Sequence, residues 1–312
     1  MMSAAADAVQ TVGGALEPFA VRSRGGGVLR GVVHQGPQSS AVVLLTAGLG
    51  MPMRRMLVPA LILAANGFTV ARFDPRNSVG ASDGELAEFT LTDLADDVLD
   101  VAGWVVDHLG VEQVATLTAS LTGRAALRSA ALQPDLFSVV GTVACVVAVQ
   151  STLTRVKGED LVAKWRTGEL TDPDELDDLL DYRIKLNAVR SIVDDGWARL
   201  ESAREDVRQA AGVHFVNLHG DRDPWVAQDE VEHVFGAEPN ATLVVLRNAV
   251  HELNFASATV AMRQLVSAYR ARLGGDRIQP ADVVIPSFED YVECNKSDRI
   301  LTARLPSLDP DR

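Results

Sequence analysis

Val114-Ala115-Thr116-Leu117-Thr118-Ala119-Ser120-Leu121-Thr122-Gly123-Arg124 is the stretch that decides how this chain is read. An apolar run breaks at a serine and continues into helix formers, Leu121–Leu132. Strand, serine and helix in the middle of an α/β chain form the pattern of a nucleophile elbow. There a tight turn exposes the serine Oγ at the top of the sheet. The usual spelling is G-x-S-x-G. Here Thr118 and Thr122 stand at the two glycine positions, and a glycine follows one place later at Gly123. Taken alone, the stretch fits two roles for Ser120: a nucleophile, or the N-cap of the helix that follows.

The flanking sequence favours a layered α/β fold. Ala41–Thr46 reads as a buried strand that runs into Ala47-Gly48-Leu49-Gly50. Arg55–Ala65 has helical spacing and stops at Asn66-Gly67. Phe68–Phe73 is the next strand, followed by a turn-rich loop through Gly84. A helix from about Thr90 places Leu94, Val98, Val101, Val105 and Leu109 on one face. Val111–Thr118 enters the elbow, and Val139–Val147 follows as another buried strand. Residues 41–147 therefore read β-α-β-α-β-α-β with helix-length crossovers. That pattern predicts a mostly parallel central sheet with helices on both faces.

Outside this block the pattern changes. Phe19–Arg22 and Val28–Val33 flank Arg24-Gly25-Gly26-Gly27 and read as a hairpin at the sheet edge. Residues 1–16 read as a flexible N-terminus. Residues 151–211 show no strand pattern and read as a small helical cap over the carboxyl edge of the sheet. The α/β pattern resumes with Val213–Leu218, Val231–Phe235 and Thr242–Leu246, and a long helix from Glu252 to Leu273 closes it. The core is thus 17–150 with 212–274. The tail, 275–312, carries Pro280, Pro286, Pro306 and Pro310 and reads as an arm outside the catalytic domain. Truncation after Gly275 is expected to preserve most activity.

Composition narrows the function classes. The chain has 312 residues, 47% of them hydrophobic, enough for one large domain with an insertion. A formal net charge of −13 repels nucleic acid and anionic membrane surfaces, so neither is an expected partner. Cys145 and Cys294 lie far apart, with no disulfide framework or clustered metal site, which fits a reducing cytoplasm. The N-terminus lacks the features of a signal peptide. The longest apolar stretch, Val139–Val149, is too short to span a bilayer as a helix.

A serine nucleophile needs a base, and the base needs an orienting acid. In a fold of this kind they follow in the order serine, acid, histidine, each on a loop after a strand. His233 falls inside a helix, whereas His251 directly follows the last strand and its loop. The acid belongs in His219-Gly220-Asp221-Arg222-Asp223-Pro224-Trp225-Val226, which offers both Asp221 and Asp223. An oxyanion needs two N–H donors. Leu121, just after the nucleophile, supplies one, and Leu49, after Ala47-Gly48, is expected to supply the other. Such chemistry needs no metal or redox cofactor.

Asp74-Pro75-Arg76-Asn77-Ser78-Val79-Gly80-Ala81-Ser82 resembles the D-x-R-G-x-G-x-S loop of α/β hydrolases, expected here to brace the oxyanion loop. More specific are Ala47-Gly48-Leu49, Arg54-Arg55, Asn66-Gly67-Phe68, Asn77-Ser78-Val79-Gly80, Gly84-Glu85, Glu88-Phe89, Ala119-Ser120-Leu121, Asp223-Pro224-Trp225-Val226 and His251. Together, from Val42 to His251, these resemble the lux-type acyl transferases, the myristoyl–acyl carrier protein thioesterases of bacterial luminescence. That family departs from G-x-S-x-G in the same way. The resemblance implies the α/β-hydrolase fold, Ser120 as nucleophile, Asp223 as acid and His251 as base. It implies an acyl thioester substrate, on acyl carrier protein or coenzyme A. The tail after Gly274 has no counterpart in it. The alternatives are a carboxylesterase acting on oxygen esters and a hydrolase-fold binding protein without turnover. Because the overall field is negative, an acidic carrier would need a local basic patch. Arg155, Lys157, Lys164 and Arg166, extended by Arg54 and Arg55, form the candidate; the plainer reading is a solvated helix face. A homodimer is compatible with this sequence.

Overall fold

The computed structural model of the chain describes residues 9–11, 14–36, 41–167, 172, 174–273 and 277–310. Three edge strands come first: β1 (Val9–Thr11), β2 (Gly14–Arg22) and β3 (Val28–His34). The alternating block follows as β4 (Val42–Thr46), α1 (Leu57–Ala65), β5 (Thr69–Asp74), α2 (Leu91–Leu109), β6 (Val114–Ala119), α3 (Ser120–Leu132) and β7 (Phe137–Val143). Next come α4 (Val149–Lys157), α5 (Leu161–Thr167), β8 (Leu176–Leu179), β9 (Tyr182–Lys185), α6 (Leu186–Asp194) and α7 (Leu200–Gln209). The chain ends with β10 (His214–Gly220), α8 (Gln228–Phe235), β11 (Ala241–Leu246), α9 (Phe255–Arg272) and α10 (Phe288–Thr302).

Nine strands form one sheet in the order β1-β2-β3-β5-β4-β6-β7-β10-β11. The first three pair antiparallel up to β5, and the strands from β5 to β11 are parallel. Side chains alternate across the sheet, so the two faces bury different sets. Leu44, Phe73, Val114, Val140 and Phe215 face α2, α3, α7 and α8. Val43, Leu45, Val70, Leu117 and Val216 face α9, with Ala60 and Leu63 of α1. Strand order reverses at β4, whose successor β5 lies on one side and β6 on the other. The crevice beyond the strand ends at such a switch point is where open α/β sheets place ligands. The loops after β4 and β6 border it here.

Helix α2 shows why the sequence signals worked. Thr90 caps it by accepting from the Asp93 N–H at 2.9 Å, Gly110 ends it at φ 65°, and Leu94, Val98, Val101 and Val105 are buried.

Three regions differ from the sequence reading. The stretch 1–16 reads as flexible, yet Val9–Thr11 pairs with β2 and β2 begins at Gly14; residues 1–8 and 12–13 lie outside the described residues. Short polar segments hide strand character that only edge pairing supplies. The cap contains the antiparallel hairpin β8–β9, where no strand is read. Its last helix, α7, belongs to the core. Asp206 on α7 accepts from the buried Arg124 and from Arg128 Nε at 2.8 Å, both on α3. Both guanidinium groups lie over the Trp197 ring, at 5.0 and 4.5 Å.

The third difference is the tail. Leu301 and Cys294 of α10, with Leu305, form an apolar cluster with Leu16, Val32, Met53, Leu57 and Leu61. Asp298 is wholly buried and pairs with the equally buried Arg72 of β5. The helix is capped by Ser287, which accepts from the Asp290 N–H at 3.1 Å. Prolines mark where this segment turns, and the helix between them carries the burial. Truncation after Gly275 is therefore expected to compromise folding rather than preserve activity. It strips Arg72 of its anion and of the helix that covers it, and exposes the apolar cluster to water. A thermal melt of the truncated chain checks this. An unshifted transition would return the tail to the status of an arm.

Candidate active site

Ser120 stands where β6 meets α3. Its backbone φ is +53°, a conformation disfavoured for any residue with a Cβ. That strain is the price of a turn tight enough to lift Oγ above the sheet. Thr122 braces the turn: its hydroxyl donates to the Ala119 carbonyl at 2.6 Å and accepts from the Ala119 N–H at 3.3 Å. A glycine at 122 makes neither bond. The close approach of α3 to the segment after β7 falls instead to Gly123, where an added Cβ would lie 2.9 Å from Cys145 Sγ. Burial pushes the Cys145 thiol up to about 12, which leaves it inert. The Val146 N–H donates to the Ser120 carbonyl at 3.1 Å and ties that segment to the elbow.

The loops after β10 and β11 bring the other two residues to Ser120. Arg222 N–H donates to the Ala249 carbonyl at 3.0 Å, and Asp221 N–H to the Leu246 carbonyl at 3.1 Å. Gly220 permits this closeness, since a Cβ there would lie 2.4 Å from the Ala249 oxygen. His251 Nε2 lies 2.8 Å from Ser120 Oγ, and its Nδ1 lies 2.8 Å from Asp223 Oδ2. Asp223 Oδ1 accepts from the Trp225 N–H at 2.8 Å and the Val226 N–H at 3.0 Å. Burial would raise the Asp223 carboxyl, but the His251 bond and charge and these two N–H groups outweigh it and hold it below its ordinary value. The side chain thus stays ionised and fixes the imidazole. Asp221 is exposed. His233 lies on α8 against Glu201 at 2.7 Å, away from this group.

Leu121 occupies the first turn of α3, where backbone N–H groups have no partner in the preceding turn. Leu49 sits in the loop after β4, shaped by a Met51 N–H bond to the Gly48 carbonyl at 3.0 Å. The far end of this loop is held by Asp74. One oxygen of its carboxyl accepts from the Met53 N–H at 2.6 Å and the other from the Ala81 N–H at 2.8 Å. Burial pushes this carboxyl up against both bonds. Gly80 leaves room for it, as a Cβ would sit 2.1 Å from Asp74 Cγ. The loop from Asp74 to Ser82 therefore holds the β4 loop directly.

Sequence reasoning missed several contributors. Trp225 stacks on the His251 ring with centroids 4.4 Å apart and planes 24° from parallel. Arg155 of α4 donates to the Trp225 carbonyl, which links the cap to that ring. His219, at the end of β10, is buried beside Asp223 and His251, and burial lowers its pKa. The Thr122 hydroxyl was legible only as a bulky departure from glycine. Three of the four basic residues named on the cap, and Arg54 beside it, are paired with carboxylates. Lys157 pairs with Asp178 and Asp181 at 2.7 and 2.6 Å, Lys164 with Asp177 at 3.4 Å, Arg155 with Glu230 at 3.3 Å, and Arg54 with Asp298 at 3.7 Å. These four cations each face a neighbouring carboxylate rather than open solvent alone.

A mostly parallel sheet with a serine on a strained strand–helix turn, bonded to a histidine and through it to an aspartate, defines an α/β hydrolase. Solved structures agree on the fold. Est1E from Butyrivibrio proteoclasticus, seen with ferulic acid, superposes with a TM-score of 0.65 at 19% identity, covering 82% of this chain and 99% of its own. A monoacylglycerol lipase from Paleococcus ferrophilus gives 0.59 at 19%, covering 82% and 98%. Within that class the chain belongs to the acyl transferase family, whose profile matches residues 33–304. Relatives include acyl transferases from Aliivibrio fischeri, 27% identical over 85% of each chain, and Photorhabdus luminescens, 28% identical over 81% of each. The match runs past Gly274 through α10, so the tail does have a family counterpart. The protein is an enzyme of acyl-ester hydrolysis or acyl transfer. Among the described residues no helix is long and apolar enough to cross a membrane.

Proposed function

We propose that the protein cleaves acyl thioesters through an acyl-serine intermediate formed on Ser120. The observation that carries this reading is the 2.8 Å approach of Ser120 Oγ to His251 Nε2, with His251 Nδ1 held by Asp223. His251 takes the hydroxyl proton as Oγ bonds to the thioester carbonyl carbon. The N–H groups of Leu121 and Leu49 stabilise the resulting oxyanion. Collapse breaks the carbon–sulfur bond, and the imidazolium returns its proton to the departing sulfur. Water or another acceptor, deprotonated by His251, then attacks the acyl-serine and regenerates the hydroxyl. The resemblance to the lux-type acyl transferases favours a thioester over an oxygen ester. Coenzyme A or an acyl carrier protein can present it, and the paired cations on the cap give no reason to prefer the carrier.

The test is a panel of acyl thioesters and oxygen esters of graded chain length. Higher kcat/KM for thioesters than for oxygen esters of the same acyl group is the expected result. The reverse order would make the protein a carboxylesterase. Failure of a fluorophosphonate to label Ser120, with no turnover of any substrate, would leave a binding protein on a hydrolase fold.

A further inference from the structure

We propose that Asp298, on α10, is a positioning residue for the loop that carries the Leu49 N–H; this rests on the reading of Leu49 as an oxyanion donor. That loop leaves β4 at Thr46 and is next fixed at Met53. Everything that holds Met53 converges on one buried cluster. Its side chain lies 1% exposed among Cys294, Leu301 and Leu305. Its N–H donates to Asp74 Oδ1 at 2.6 Å. Its carbonyl faces Arg72 Nη1 at 3.4 Å. Arg72 and Asp74 are two residues apart on β5 and so project from the same face of the sheet.

Asp298 controls this cluster through charge. Arg72 and Asp298 are both 0% exposed, and Arg72 Nη2 donates to Asp298 Oδ1. The other oxygen, Oδ2, has Arg54 Nε at 3.7 Å, and Arg54 is the residue after Met53. One carboxylate from the C-terminal helix therefore engages Arg72, which faces the Met53 carbonyl, and Arg54, which continues the same loop. A buried cation that loses its anion turns to the nearest remaining one. The carboxylate beside Arg72 that remains is Asp74, which already feels the Arg72 charge and whose carboxyl holds the Met53 N–H. Loss of the Asp298 charge is thus transmitted to both backbone groups of Met53. Leu49 lies four residues upstream, and an oxyanion donor displaced by about 1 Å loses much of its effect.

The experiment compares wild type with Asp298→Asn, the double variant Arg72→Met with Asp298→Leu, and Ser120→Ala. Each is assayed on the best substrate of the acyl panel. Binding of a straight-chain alkyl trifluoromethyl ketone is also measured, since its adduct with Ser120 carries an oxyanion. Asp298→Asn is expected to lower kcat by about 10- to 100-fold, below the ~10²–10³ for loss of a whole oxyanion donor, because the donor is displaced rather than removed. KM should change little, and ketone affinity should fall in parallel with kcat. The double variant removes both buried charges, so it is expected to recover thermal stability; it also removes the Arg72 Nη1 bond to the Met53 carbonyl and the anion beside Arg54, so kcat stays low. It also covers the case in which Asp298→Asn fails to fold. Recovery of kcat together with stability in the double variant would reduce the pair to a structural one and overturn the proposal. So would an unchanged kcat in a folded Asp298→Asn protein while Ser120→Ala is inactive. Full turnover by Ser120→Ala would overturn the reading of the site, and the positioning role with it.

Discussion

Replacement of Ser120 by alanine is expected to lower kcat by about 10⁴-fold or more and to remove acyl-enzyme formation, because members of such a triad act as a unit. The fold should survive the change. Alanine keeps the Cβ, so the strain at φ +53° is neither added nor relieved. The bonds that brace the turn belong to Thr122 and to the Ser120 and Ala119 backbones, which the substitution leaves in place. His251 loses its contact to Oγ and retains the bond to Asp223. A thermal melt, fluorophosphonate labelling and turnover together check the result. A variant that melts like wild type and turns over at a near-normal rate would remove Ser120 from the chemistry.

Asp223→Asn is expected to cost nearly as much, on the order of 10⁴-fold in kcat. The local hydrogen bonds explain why an isosteric amide does not rescue function. Asp223 Oδ1 accepts from both the Trp225 and Val226 N–H groups. An asparagine must leave its one carbonyl oxygen there, or it sets an NH₂ against two donors. The NH₂ then faces His251 Nδ1 and donates to it. The imidazole is left with its proton on Nε2, facing Ser120, in the tautomer that cannot act as a base. Asp221→Asn, at an exposed position, should leave kcat close to wild type. Steady-state kinetics of the two variants decide between the aspartates, and the opposite ranking would assign the acid to Asp221.

What was legible in the sequence was local. The strand–serine–helix run, the order of residues around Asp223 and His251, and the cap and stop of α2 are each written in a few adjacent residues. A chain can state such signals without knowing its fold. The positions that misled depend on distant partners. The edge strand β1 exists because β2 is there to pair with it. The hairpin β8–β9 is held by contacts such as Trp165 Nε1 with Asp177 Oδ2 at 2.8 Å and Lys185 with Glu88. The buried charge of Asp298 needs Arg72, 226 positions earlier. Proline content outweighed these in the reading of the tail. The lysines of the cap were visible as positive charge, but the aspartates that neutralise them sit on a hairpin with no strand signature. Thr122 is the converse case. It broke the expected G-x-S-x-G spelling, yet its hydroxyl makes two of the bonds that hold the turn.

Gly50 follows Leu49, the proposed oxyanion donor, at φ +68°, and a Cβ there would fall 2.1 Å from the ring of Tyr182, the first residue of β9. An insertion that diverges in sequence must therefore keep a ring-and-glycine fit with the loop after β4, encoded more than a hundred positions earlier. For protein engineering, the cap is not a free cassette. A cap grafted from a relative carries its own residue at the Tyr182 position into a groove shaped by the host's glycine. Chimeras that exchange the two positions together should express and turn over better than those that exchange the cap alone. Divergence of the hairpin within such a lineage would be recorded at residue 50 as well as in the insertion itself.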